Sequence, residues 1–183
     1  MAILAIVMLG VGLFTGLKAT TPAMLATQSA YLTEQNFFDF RLLSTVGFSK
    51  ESADTLKELD EIADAEGAIS ADALCTMDET SNIYKFHTIP QQINQLVLTA
   101  GRMPEQADEC LLDSSMYGEE SIGSQITVTD DNDEDTLEMF KNRTFTAVGV
   151  VRTPYYINLE RGTTSIGDGK VGAFLYVPHK AFD

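Results

Sequence analysis

The side chains most suited to metal ligation or nucleophilic chemistry are His87, His179, Cys75 and Cys110, the only histidines and cysteines in the chain. Neither histidine has a second His or Cys at ligand spacing, so both read as structural. A Cys–His or Ser–His–Asp site requires side chains that converge in space, and no G-x-S-x-G elbow marks a nucleophile. Asp131-x-Asp133-x-Asp135 has the carboxylate spacing of a calcium loop. An EF-hand loop wants Gly at its sixth position and Glu at its twelfth; here those positions hold Thr136 and Asn142. The aspartates therefore read as a solvated loop, with a weak divalent-cation site as the alternative. Gly167-Asp168-Gly169-Lys170-Val171-Gly172 spells G-x-G-x-x-G. A dinucleotide fingerprint needs a strand before it and a helix after it. Here an apolar strand follows, so the glycines read as a turn. No catalytic, metal or cofactor-binding residue is assigned, no cofactor is expected, and the chain is not read as an enzyme.

Composition narrows the partners. The chain has 183 residues, with 12 Lys+Arg against 27 Asp+Glu, a net charge of −15. Phosphate contacts need clustered Lys and Arg, so nucleic acid is excluded as a partner. A hydrophobic fraction of 44% fits a folded domain. Residues 103–140 contain no Lys or Arg but hold Glu105, Glu109, Asp113, Glu119, Glu120 and other acids. That span reads as a solvated acidic face, or more sharply as a surface for a cationic ligand. Two cysteines are too few for a disulfide scaffold. Outside the cytoplasm, pairing of Cys75 with Cys110 is permitted but not required. Asn142-Arg143-Thr144 matches a glycosylation sequon, which matters only in a eukaryotic secretory pathway.

Residues 2–17 carry no charge. As a helix they cover about 24 Å, short of a hydrocarbon core of roughly 30 Å. Gly10, Gly12 and Gly16 are poor choices for a water-soluble helix and suit a membrane helix with a G-x-x-x-G face. Lys18 sits where a span leaves the bilayer. The segment reads as a membrane helix truncated on its N-terminal side, in preference to a signal sequence or a core helix. It is expected to continue towards Tyr31 past Pro22.

The remainder reads as α+β. Residues 37–46 are aromatic and aliphatic, a strand; 50–63 show helical spacing at Leu56, Leu59 and Ile62; 65–75 return as a strand. Short strands follow at 83–89, 92–98, 109–113, 123–129, 140–151 and 173–177, with 130–135 joining two of them. Ile126 and Val128 are expected to face inward. Pro154-Tyr155-Tyr156 follows the longest strand and is read as packed aromatics rather than a partner surface.

Several blocks in order then carry a resemblance. Leu98-Thr99-Ala100-Gly101-Arg102 is followed by Asp108-Glu109-Cys110-Leu111-Leu112-Asp113, by Ile122-Gly123-Ser124-Gln125-Ile126-Thr127-Val128, and by Phe145-Thr146-Ala147-Val148-Gly149-Val150-Val151. This order resembles the extracytoplasmic domain of MacB/FtsX-like ABC-transporter permeases. Tyr155, Ile157, Glu160-Arg161-Gly162 and the 165–171 block resemble the Gram-positive branch. Residues 2–22 resemble that family's first membrane helix.

The resemblance implies a domain outside the cell membrane, in a protein that is multi-pass at full length. It implies a strand–helix–strand layer holding an inserted antiparallel β-rich subdomain. The corresponding division is 1–30 for the membrane helix and stalk, 31–81 with 171–183 for the layer, and 82–170 for the insert. Strand 173–177 is expected to pair with the layer. The implied partners are a cytoplasmic ATP-binding subunit, a second permease copy or homologue in a dimer, and the membrane. The domain would be non-catalytic and couple ATP hydrolysis by its partner to export or to action on a substrate outside. The chain stops at Asp183, where a further helix and strand are expected, and so reads as a fragment. The alternative is a secreted or membrane-anchored acidic binding module; an extracellular enzyme is the third and least supported class.

Overall fold

The computed structural model describes residues 2–44, 46–156 and 162–182. Thr45, Ile157, Glu160, Arg161 and Asp183, which the sequence readings invoked, lie outside the described residues.

Helix α1 runs Ala2–Glu34 and passes through Pro22, as expected. Its 33 residues extend about 50 Å at 1.5 Å per residue. None of them is buried, and the helix is long and apolar enough to cross a membrane. A short helix α2, Lys50–Lys57, follows. Next come β1 (Ser70–Met77), β2 (Thr80–Thr88), β3 (Val97–Gly101), β4 (Glu109–Asp113) and β5 (Gln125–Val128). Helix α3 (Glu134–Glu138), β6 (Thr144–Arg152) and β7 (Ala173–Val177) complete the order. The architecture is an apolar helix followed by an α+β domain built on one mixed sheet.

The strand order is β3-β6-β4-β7-β2-β1-β5, and β5 pairs again with β6. Six strands thus close into a ring, and β3 is added on the outside of β6. Closure removes free edges that would template other chains. Strand β6 carries three partners: β5 at Thr144–Thr146, β4 along Thr146–Val151, and β3 along Gly149–Arg152. Gly149 sits opposite both Gly101 and Leu111. A Cβ on Gly149 would lie 2.5 Å from the Arg102 carbonyl oxygen. A Cβ on Gly101, whose φ is +76°, would lie 2.3 Å from the Val148 carbonyl oxygen. Glycine at both positions lets the backbones approach.

The ring interior is filled by side chains. Phe86, Phe140 and Phe145 form an aromatic cluster with centroids 4.7, 5.4 and 6.1 Å apart. Cys75, Cys110, Leu112, Ile126, Val128, Leu175 and Val177 pack around them. A second core lies on the outer face of β4, β6 and β7, where Leu111, Val151, Phe174 and Tyr176 meet Ile89, Leu96 and Tyr156. This explains why β7 is apolar at both parities: it is covered on both sides.

Strands 109–113 and 173–177 form as read from sequence, and Ile126 and Val128 face inward. Other expectations are corrected. Residues 37–44 form no strand; the ring closes on itself and leaves no edge within it for them. The strand–helix–strand layer therefore does not form. The expected helix 50–63 ends at Lys57, and Glu58–Ile62 make single turns. The strand placed at 65–75 starts instead at Ser70, because it is half of a hairpin. Its two-residue turn, Asp78-Glu79, has φ of +48° and +64°, the mirror-image turn that suits hairpin twist. The strand placed at 92–98 is shifted to Val97–Gly101, and the acidic join between two strands contains α3. The β-rich part is mixed, since β2–β7 and β4–β6 are parallel. Strand β7 pairs with β2 and β4 and not with a separate layer.

Gly149→Ala is expected to lower unfolding stability by about 1–3 kcal/mol, the range for forced overpacking. Gly67→Ala, with open space at its Cβ, should change it by less than about 0.5 kcal/mol. Urea unfolding followed by circular dichroism checks both.

Candidate functional site

Helix α1 meets the barrel through a hydrogen-bonded joint. The helix ends in a Schellman motif: Asn36 N–H donates to the Thr33 carbonyl at 3.1 Å and Phe37 N–H to the Leu32 carbonyl at 2.9 Å. Asn36 has φ of +50°, and Asn is the common non-glycine residue in this left-handed position. From there the chain grips the loop that opens β3. Asn94 N–H donates to the Asn36 carbonyl at 3.0 Å and Gln95 N–H to the Gln35 carbonyl at 2.9 Å. Asn36 Nδ2 donates to the Gln92 carbonyl at 2.9 Å, and Phe38 N–H donates to Asn94 Oδ1 at 3.2 Å. Asn94, with φ of +58°, is a second left-handed asparagine. The loop is held from its other side by Glu66, whose carboxylate accepts the N–H groups of Gln91, Gln92 and Ile93 at 2.6, 3.0 and 2.9 Å. Such charge-assisted bonds are about twice as strong as neutral ones.

Beside the joint, an aromatic cover closes the outer core. Tyr156 stacks on Phe174 with centroids 3.4 Å apart. Phe38 packs on Tyr155 at 5.6 Å, and the Arg41 guanidinium lies 5.2 Å above the same ring. His87 is ringed by Tyr155, Tyr156, Phe174 and Tyr176, and its Nε2 is 2.8 Å from the Tyr156 hydroxyl. Burial, assisted by the charges of Lys85 and Arg41, pulls the His87 pKa down to about 3. The ring is therefore neutral at pH 7.

The other residues singled out in the sequence are dispersed over the fold. Gly167 and Gly169 have positive φ in a turn where Gly169 N–H donates to the Ile166 carbonyl, leading into β7. Asp133 caps α3 by accepting the Thr136 N–H at 2.7 Å, and Asn132 bonds both backbone groups of Leu74. Tyr155 and Tyr156 are packed, and His179 is exposed in a short turn. Cys75 and Cys110 are free and buried. Burial pushes the Cys75 thiol up to about 12 and raises Cys110 as well, which disfavours the reactive thiolate. Among the described residues no group of three or more His, Cys, Asp or Glu is placed to hold a metal ion.

The motif residues behind the family resemblance also converge. The four blocks fall on β3, β4, β5 and β6, all joined through β6. Arg102 of the first block pairs with Glu109 of the second, one bond measuring 3.0 Å. Arg102 first, then the N–H groups of Glu105 and Gln106, holds the Glu109 carboxyl at about 2. Glu66, Asn36 and Asn94 were missed by sequence reasoning. The only signal for them was the Gln35-Asn36 pair ending an apolar helix.

No family model matches the chain, and no curated protein matches it. Among solved structures, the chain is similar to the extracellular domain of the ABC-type transporter YknZ from Gram-positive bacteria. The identity is 11% and the TM-score 0.44, over 74% of this chain and 64% of that one. It is also similar to the periplasmic region of MacB from Actinobacillus actinomycetemcomitans. There the identity is 16% and the TM-score 0.38, over 72% of this chain and 55% of that one. The chain thus spans less than two thirds of either solved chain.

Two outcomes follow. Asn36→Ala puts a strained residue at the left-handed position, at a cost of about 1–2 kcal/mol. Hydrogen exchange at the Asn94 and Gln95 amides should quicken, while Asn36→Gly leaves it closer to the parent. For His87, the folded pKa of about 3 lies below the ordinary value of 6.5. The unfolded chain then binds more protons between those values, so stability falls as pH drops from 6.5 towards 3. His87→Phe should flatten that fall, read from urea midpoints at pH 7 and pH 4.5.

Proposed function

We propose that this chain is the first membrane span and extracytoplasmic domain of an ABC-transporter permease subunit of the MacB/FtsX type. The observation that carries the proposal is the joint. A helix apolar enough to cross a membrane ends in backbone bonds to the loop that opens β3. Strand β3 in turn pairs with β6, the strand with three partners. Motion of the helix is passed to the barrel backbone and not absorbed by a slack linker. The ordered L-x-x-G-R, acidic, I-G-x-x-I-x-V and F-x-x-V-G-V-V blocks support the same assignment.

In this role the domain performs no bond chemistry. A partner ATP-binding subunit on the cytoplasmic side hydrolyses ATP, and the span carries the resulting displacement outward to act on a substrate there. A second permease copy or homologue completes the transporter. The acids of 103–140 serve internal tasks in part, Glu109 on Arg102 and Asp133 at the cap of α3.

The full-length permease with Asp131→Cys, a position exposed on the surface, tests sidedness. A membrane-impermeant maleimide should label it in intact cells, while the buried Cys75 and Cys110 stay unmodified. Purification from membranes should recover an ATP-binding subunit with the permease. Labelling only after lysis, or purification with no such subunit, contradicts the assignment.

A further inference from the structure

Helix α1 runs unbroken from Ala2 to Glu34 with Pro22 inside it. Proline has no N–H, and its ring crowds the carbonyl four residues back. The Lys18 carbonyl therefore receives no ladder bond from position 22. In the same stretch Thr20 Oγ1 donates to the Gly16 carbonyl at 2.9 Å, a back-bond that often bends helices. Gly16 adds the poorest helix former after proline. Thr27 makes the same back-bond to Ala23 at 2.9 Å, but in a turn that keeps all its amides.

Three features that soften a helix thus fall together in Gly16–Pro22. No residue of α1 is buried, so among the described residues nothing stiffens this stretch from the side. On one flank residues 2–17 are apolar and uncharged, and Lys18 is the only charged residue of α1 before Glu34. On the other flank residues 23–34 lead into the joint, where Gln35 and Asn36 are bonded to Gln95 and Asn94.

Resting on the reading of residues 2–17 as a membrane span, we infer that Gly16–Pro22 is a bending hinge between the span and a rigid unit of stalk and barrel. The helix on either side keeps its ladder, so the hinge yields to bending and resists stretch. Residues 23–34 are about 18 Å long as a helix. A bend of about 20°, the size of a proline kink, swings the joint about 6 Å sideways and shortens its reach by about 1 Å. Axial displacement of the span then reaches the barrel almost whole, while tilt of the span is taken up at Pro22.

Double electron–electron resonance on the full-length protein in nanodiscs tests this with two label pairs, diluted with unlabelled chain. Val7→Cys with Gln125→Cys crosses the hinge; Gln28→Cys with Gln125→Cys does not. Gln125 is exposed on β5, and the buried Cys75 and Cys110 stay unlabelled. The Val7 pair should give a distribution at least about twice as wide as the Gln28 pair, and Pro22→Ala should remove at least about half of that excess. A Val7 distribution as narrow as the Gln28 one overturns the hinge, and so does a wide one that Pro22→Ala leaves unchanged. A Gln28 distribution as wide as the Val7 one puts the softness in the joint and overturns it equally. The span is read separately from the Val7 label, which dissolved oxygen should relax more strongly than an aqueous nickel chelate. If the chelate relaxes it more strongly, the span reading has failed, and with it a hinge at the end of the span.

Discussion

The close approach of three strands on β6 is the constraint on which the rest of the structure depends. β5 and β3 share one edge of β6 while β4 occupies the other. That crowding is feasible only where side chains are absent, at Gly149 and Gly101. With it, the ring closes, the phenylalanine cluster fills the interior, and the outer face of β4, β6 and β7 is left to build a second core. Without it, β3 has no sheet to join. The loop before β3 would then have no fixed position to offer to α1.

The same constraint explains what the family-like motifs are for. Gly101, Arg102, Glu109 and Gly149 are spread over nearly fifty positions of sequence but meet at one seam. Two glycines admit the backbones, and the Arg102–Glu109 pair ties the turn after β3 to the start of β4. These residues specify packing and register, not chemistry. Their order in a sequence therefore signals a fold.

Legibility from sequence followed the range of the forces involved. Strands 109–113 and 173–177 were readable because their apolar runs are bounded by clear turn signals. The helix was readable past Pro22 because its apolar composition continues. Residues 37–44 have strand composition yet join no sheet, since composition reports propensity and not the availability of an edge. The hairpin start at Ser70 was hidden because its turn is Asp78-Glu79 and lacks the usual glycine. Helix α3 was hidden inside an acidic run, where Asp133 acts as an N-cap with little apolar periodicity around it. The joint was the least legible part. Glu66, Asn36 and Asn94 act through backbone groups distant in sequence, and no local pattern announces such contacts.

The central claim is that α1 and the barrel move as one body through the joint at Asn36 and Asn94. Spin labels at Gln28 on α1 and Leu98 on β3, in the full-length protein with the proposed ATP-binding partner, measure this directly. A single narrow distance distribution, unchanged between nucleotide-free and ATP-bound states, is the predicted result. A broad distribution, or one that shifts with ATP, would show a slack joint and contradict the account.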